Sequence, residues 1–278
     1  MNEPPFSIST SYPLDEGGLS YLLHIDQTGL ATLTLESNVE TPQLQAIGVF
    51  QDDIGYDKAL GFKNMFATLS KISLPAGDPA LPTAPMVHVT LQEEGVSESR
   101  IIDPTTSPPA MCKVAEHLKE VGNELLQHPL QVVQMKVGLG QVRMKRSDKL
   151  NLSIRLDAEG SKAVKFADPL KAAQKESGGF ILWGVRSDLA PADLWPQHSK
   201  HQVIRPSELF QVDLPVQKSG NGVLELLPGQ QANYTFNIPL DWEAGEYAVK
   251  IIFETTSDKE GILRGNIISL PVTLTVQQ

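Results

Sequence analysis

Apolar and polar residues alternate over most of the second half of the chain, and this period of two restricts the fold more than any other feature. It is clearest in residues 150–156, where leucine or isoleucine occupies every second position. Similar short runs occupy residues 164–166, 209–214, 234–238, 247–253 and 272–276, and residues 180–185 are apolar on both faces. Each run predicts a β-strand. Seven or more such strands predict an antiparallel sandwich or barrel.

The first half mixes strand patterns with a helical period. Strands are predicted over residues 6–12, 20–26, 30–36, 86–92 and 96–103, joined by Gly-containing turns. Residues 54–69 predict one helix, and apolar residues at steps of three and four after Pro108-Pro109 predict a second that ends before Pro129. The sequence therefore predicts an α+β domain over residues 1–133 and an all-β domain over residues 134–278.

The stretch Leu226–Phe253 has the layout of a strand, a turn and a second strand that begins with a tyrosine. Pro228-Gly229 precedes the first strand, and Gly245-Glu246-Tyr247 opens the second. We expect the Tyr247 hydroxyl to bond to the backbone a few residues upstream. The arrangement resembles immunoglobulin-like domains of bacterial envelope proteins and of the intracellular proteinase inhibitor family BsuPI. This resemblance implies that the second domain is an all-β immunoglobulin-like sandwich, with protease inhibition as the associated activity.

The first half has a resemblance of its own, carried by layout rather than by a motif. It includes Gly17-Gly18, Gly29, the strand around Val87–Val89 and the helix after Pro108-Pro109. This order resembles the small emfourin-type α+β domains, which are inhibitors of metalloproteases. The resemblance implies an inhibitory role for this half as well.

Charge and composition exclude several classes of function. The formal net charge is −10, and an acidic surface repels phosphate backbones, so we expect no nucleic-acid partner. No apolar run is long enough for a transmembrane segment. Residues 1–10 lack the basic and apolar regions of a signal peptide. Two locations stay open: the cytoplasm as the sequence is written, and the periplasm or cell envelope if a leader was trimmed.

The chain shows no motif of a known reaction centre. Gly138-Leu139-Gly140 lacks the third glycine of a dinucleotide loop, and no phosphate-binding, zinc-protease or nucleophile-elbow motif occurs. His198 and His201 stand three apart, but the prolines around them favour a loop and no carboxylate accompanies them. The single cysteine, Cys112, excludes an intramolecular disulfide. We therefore predict no cofactor, no metal and no catalytic residue.

One long connection, residues 187–207, combines the residue types that anchor protein interfaces. Its candidate partner-binding residues are Asp188, Trp195, His198, His201 and Arg205. Long loops in compact domains are often functional. The proline-rich segment Pro75–Pro85 is a second candidate, since prolines pre-order a loop and lower the entropy cost of binding.

The sequence thus favours a non-catalytic protein that binds another protein, with a protease inhibitor or an immunity-type protein as its narrower forms. Two other classes stay open. One is a hydrolase with a site at the domain interface, which a pocket holding titratable groups would favour. The other is a structural module of the cell envelope.

Overall fold

The computed structural model describes residues 4–13, 19–69, 86–175, 178–187, 199–215, 222–256 and 260–278. In this part of the chain 55% of residues lie in strands and 18% in helices, and the α-helices number three. By contacts between residues the chain divides into two compact units. Unit 1 comprises residues 1–35 and 49–130, and unit 2 comprises residues 36–48 and 131–278.

Unit 1 is an antiparallel sheet with two helices. Its elements are β1 (Phe6–Pro13), β2 (Leu19–Asp26), β3 (Leu30–Leu35), β4 (Ala46–Asp53, of which residues 49–53 belong here), α1 (Tyr56–Leu69), β5 (Val87–Glu93), β6 (Val96–Ile102) and α2 (Pro109–Leu125). The strand order is β4-β3-β2-β1-β5-β6. Helix α2 buries residues spaced three and four apart, among them Val114, Leu118 and Val121, because that spacing forms one apolar face.

Two glycines allow close approaches that a side chain would prevent in unit 1. Gly29 ends the β2–β3 turn with φ +95°, and a Cβ there would overlap the backbone of Gly55. Gly122 lies on α2 where a Cβ would overlap the Tyr21 hydroxyl. The Tyr21 side chain can therefore pack directly against α2, and it is buried.

Unit 2 contains most of the strands. Its elements are β7 (Pro129–Leu139, of which residues 131–139 belong here), β8 (Arg143–Lys145), β9 (Lys149–Gly160), β10 (Val164–Ala167), α3 (Pro169–Gln174), β11 (Gly179–Arg186), β12 (Ser199–Val203), β13 (Leu209–Asp213), β14 (Val223–Leu226), β15 (Gln231–Pro239), β16 (Gly245–Thr255), β17 (Gly265–Ile268) and β18 (Val272–Gln277), with short 3₁₀ helices at Asn38–Glu40 and Pro206–Glu208. One set of strands has the order β13-β15-β9-β7, and another has the order β12-β11-β16-β18-β8 with β17 beside β16. Strands β10 and β14 form a separate pair.

The two sheets of unit 2 contribute to one hydrophobic core. Phe180 on β11 contacts Tyr234 and Phe236 on β15, with ring centroids 5.1 and 5.9 Å apart. It also lies 5.4 Å from Phe253 on β16. Edge-to-face aromatic pairs add to the stabilisation that burial alone provides. The alternation in the sequence arises here, because every second residue of β9, β15 and β16 faces this core.

Residues 36–48 belong to unit 2 although they follow β3 in the chain. The Asn38 side chain donates to the Ile268 carbonyl at 2.9 Å and accepts from the Ile268 amide at 2.8 Å. Ser37 forms a parallel bridge with Asn266, and Glu36 pairs with Arg264 at 2.9 Å. Asn38 is 1% exposed, and its side-chain amide satisfies both backbone groups of Ile268 on β17, as a neighbouring strand would.

The predicted tyrosine corner is confirmed at Tyr247. Its hydroxyl donates to the Glu243 carbonyl at 3.0 Å, and the side chain is buried. Trp242 packs against the same ring, with centroids 4.7 Å apart, and against Gly184, where a Cβ would overlap the indole. The turn at residues 242–247 is thus held by the hydrogen bond of the Tyr247 hydroxyl and by the packing of the Trp242 ring.

The predicted fold class is wrong. The chain is mostly β with large sheets, so the sheet and the two helices of unit 1 do not form a distinct α+β N-terminal domain. The two predicted N-terminal helices exist as α1 and α2, but β4 was not predicted, because residues 46–50 are almost all buried and show no polar alternation. The description as an α+β domain followed by an immunoglobulin-like sandwich is therefore replaced by a mostly-β chain. The predicted domain boundary between residues 133 and 134 stays a prediction.

Replacing Tyr247 with phenylalanine should lower the free energy of unfolding by about 1 kcal/mol, because it removes one buried hydrogen bond. Tyr234→Phe is the matched control. The Tyr234 hydroxyl is buried and has no hydrogen-bond partner among the described residues, so its removal should be neutral or slightly stabilising. Urea denaturation of both variants measures the difference. Equal losses at the two positions would contradict the role of the Tyr247 bond.

A second prediction concerns the turn between β2 and β3. Partial burial opposes ionisation of Asp26, but hydrogen bonds from the Thr28 hydroxyl and from the Thr28 and Leu30 amides hold its pKa below the ordinary value of 3.8. The ionised carboxylate therefore stabilises the fold above that value, and the stabilisation is lost as the pH falls through the folded pKa.

The Asp26→Asn variant lacks this titration. Urea denaturation should show wild type to be more stable than the variant by a larger margin at about pH 6 than at about pH 3. A margin that does not change between these two pH values would show that the turn hydrogen bonds do not favour the charged form.

Candidate functional site

A cleft of about 690 Å³ lies along β12 in unit 2. It is lined by residues of α3, β11, β12, β16, the 3₁₀ turn after β12 and the end of β15: Ala173, Gly178, Ile181, His201, Gln202, Val203, Arg205, Glu208, Pro239, Asp241 and Glu254. The lining combines apolar and charged side chains. Such a mixture suits the recognition of a peptide or a small molecule.

Strand β12 is an edge of its sheet, since no strand of the described residues pairs with it beyond β11. The Ile204 amide donates to the Phe180 carbonyl at 2.9 Å, which fixes the alternation of bonded and free backbone groups along β12. By this alternation the amide and carbonyl groups of His201 and Val203 point away from β11. They are directed outward in the strand that lines the cleft.

Glu208 fixes the turn that follows β12. Its carboxylate accepts from the Arg205 amide at 2.8 Å and from the Gln202 side-chain amide at 3.0 Å. The Gln202 amide also reaches the Pro239 carbonyl at 3.4 Å. This network holds Gln202 and Arg205 in place, so this part of the cleft is preorganised.

The charges of the cleft are not all neutralised within it. Asp241 pairs with Arg146 at 3.0 Å, and Glu208 is occupied by the bonds of the turn. Arg205 is exposed, and within the described ranges its guanidinium has no ion-pair or hydrogen-bond partner. It is the group in the cleft that is free to bind a carboxylate in the paired geometry that arginine favours.

The face beside the cleft carries aromatic and apolar side chains. His201 meets Trp183 edge to face, with centroids 5.9 Å apart, and the Lys250 ammonium lies 5.2 Å from the same indole. Val203 is 42% exposed and stands opposite Ile181 in the register of β11 and β12. The outward face of β12 therefore offers an apolar contact next to its free backbone groups.

Two of the five predicted partner-binding residues, His201 and Arg205, line this cleft together. Asp188, Trp195 and His198 fall outside the described residues, as do Pro75–Pro85. The prediction that His201 lies in a loop is wrong. Residues 199–203 form β12, because their pairing with β11 overrides the effect of the nearby prolines.

Sequence reasoning did not find the acidic side of the cleft. Glu208, Asp241 and Glu254 come from three separate segments, and no sequence spacing connects them. A signal existed only for Glu208. Proline in the first helical turn with glutamate two residues later, as in Pro206 and Glu208, is typical of a helix start and indicated the turn that positions Arg205.

Displaced pKa values occur at residues that do not line the cleft. Burial raises the pKa of the Tyr21 and Tyr234 hydroxyls. Hydrogen bonds from the Thr105 hydroxyl and amide lower the pKa of Asp103 in the turn before α2. These displacements come from burial of the two hydroxyls and from the hydrogen bonds of one turn, so they do not mark the cleft as a reaction centre.

In the described part of the chain, no three His, Cys, Asp or Glu side chains are grouped closely enough to hold a metal ion. None of the helices in those ranges combines the length and apolar character that crossing a membrane requires.

No protein-family model matches the chain, and no curated protein matches it. One matching solved structure is described as "AvmM Catalyzes Macrocyclization in Alchivemycin A Biosynthesis". It is 10% identical, and the alignment covers 52% of this chain and 89% of the other with a TM-score of 0.30. A likeness at this TM-score carries no argument about the fold or the function.

Proposed function

We propose that the protein is a non-catalytic binding protein that holds an extended segment of another protein along β12. The observation that carries the proposal is the coincidence of a free strand edge with a cleft of about 690 Å³. Addition of a strand to such an edge supplies main-chain hydrogen bonds, while neighbouring pockets select side chains.

The backbone contribution comes from His201 and Val203, whose outward amide and carbonyl groups would bond to the added segment. Exposed edges usually carry devices that block such pairing, for example charged side chains or proline. Strand β12 carries one such residue, Lys200, which does not line the cleft, and it contains no proline. The edge is thus open where the cleft lies.

The side-chain contribution comes from Arg205. Since its guanidinium has no partner in the ranges described, we expect the bound segment to present a carboxylate to it. Val203 and Ile181 supply apolar contact beside this charge. A segment with an acidic residue next to an apolar one therefore fits the cleft.

Inhibition of a protease, or an immunity-type role, is the narrower form of the proposal. Its support is the resemblance of Leu226–Phe253 to inhibitor domains. If the partner is a protease or a toxin, the narrower form expects loss of that partner's activity at equimolar amounts.

The test is affinity capture from a native lysate with four baits, the wild type and three variants, followed by quantitative mass spectrometry. Val203→Pro removes an outward amide and leaves the bonds to β11 intact, as proline is tolerated on edge strands. It should lower capture of the partner about tenfold or more. Val203→Ala keeps the amide and should lower capture less, and Arg205→Ala should weaken it through the lost carboxylate contact.

The variants are first compared with wild type by thermal denaturation, so that loss of capture is not loss of fold. Equal capture by Val203→Pro and wild type would refute pairing along β12. Absence of any stoichiometric partner, together with turnover of a small substrate, would refute the binding function itself.

A further inference from the structure

Strand β6 is a second free edge, at the end of the strand order of unit 1. Nothing in the described ranges pairs with it beyond β5. Its exposed side chains include Val96, at 71%, and Ile101, at 52%. Exposed apolar residues on a free edge indicate a surface that another strand can cover.

The hairpin turn determines which backbone groups of β6 are free. Glu94 and Gly95 join β5 to β6 with φ values of 49° and 80°, the positive values of a two-residue type I′ turn. In such a hairpin the closing pair, Glu93 and Val96, exchanges both backbone bonds. The amide and carbonyl groups of Ser97, Ser99 and Ile101 therefore point away from β5.

One contact of Arg100 agrees with this assignment. Its guanidinium donates to the Ser99 carbonyl at 3.3 Å. The same side chain pairs with Glu98 at 2.7 Å. The Ser99 carbonyl is thus satisfied by a side chain at the edge, and a paired strand would replace that bond.

Glu98 and Arg100 lie on one face of β6, two residues apart, and on either side of its central residue, Ser99. Glu98 and Arg100 already pair with each other at 2.7 Å within the strand, and a partner strand that places a like charge opposite either of them would oppose pairing. A strand that presents the opposite charges at the matching positions removes this penalty.

We propose that β6 pairs with β6 of a second copy of this chain, antiparallel about a two-fold axis at Ser99. Position 98 then lies opposite position 100 of the partner, so that each Glu98 faces an Arg100. Ser97 lies opposite Ile101, and Val96 lies opposite Ile102. The full length of Val96–Ile102 is paired.

Other registers also keep the free backbone groups facing each other, but their side-chain contacts are less favourable than those of the register centred on Ser99. Because Ser97, Ser99 and Ile101 carry those groups, the axis can move only in whole-residue steps. An axis at position 98 places Glu98 against Glu98, and one at position 100 places Arg100 against Arg100. An axis at position 97 or 101 avoids like charges but pairs only three residues of β6, so charge and paired length together select the axis at Ser99.

The contact is one strand long, so we expect a weak, concentration-dependent dimer rather than an obligate one. Sedimentation velocity of the full chain, from about 1 to about 500 µM, should show a reversible monomer–dimer equilibrium in wild type. Glu98→Arg and Arg100→Glu each place like charges opposite each other twice in the symmetric dimer. Each should raise the dissociation constant about tenfold or more.

The double variant, Glu98→Arg with Arg100→Glu, restores the complementary pairs and should return the dissociation constant to within about threefold of wild type. Ser99→Pro tests the backbone without changing any charge. It removes an outward amide only, so the hairpin should fold and the dimer should be lost.

Thermal denaturation confirms that each variant is folded. A wild type that is monomeric over the whole range would overturn the proposal. So would a dimer that survives Ser99→Pro, or a double variant that stays as weak as the single ones, since neither is compatible with pairing centred on Ser99.

Discussion

Packing around Phe180 is the constraint on which unit 2 depends. Its ring contacts Tyr234 and Phe236 of one sheet and Phe253 of its own sheet. Because side chains alternate along a strand, fixing Phe180 inward fixes Ile181 and Trp183 outward. The position of β12 beside β11 follows from the same register. The position of the cleft therefore follows from the packing of Phe180 in the aromatic core, because this packing determines which side chains of β11 point outward.

The strands of the second half could be predicted because one face of each meets this core and the other meets water. Where that contrast is absent, the prediction failed. Strand β7 lacks a sustained polar–apolar alternation, and β4 begins with three buried residues. The sequence of β12 is polar except at its end, so only its pairing with β11 shows that it is a strand.

The residues of the cleft also divide into two groups, those that the local sequence indicates and those that pairing between distant strands brings together. Arg205 and His201 could be proposed from residue type and from their place between two strands. Glu254 and Asp241 could not, because pairing between distant strands brings them to the cleft. The Tyr247 bond was predictable because donor and acceptor are four residues apart and the surrounding turn dictates their approach.

The contact between Asn38 and Ile268 has a consequence for how the chain is made. Asn38 is synthesised early, yet the backbone groups that satisfy its buried amide lie 230 residues later. During synthesis the Asn38 side chain therefore stays exposed to water until β17 has emerged from the ribosome. Contacts with this sequence separation form slowly, since a long loop must close first. Completion of unit 2 is thus expected only after β17 has left the ribosome, and its unfinished sheet is the part of the nascent protein that chaperones would protect.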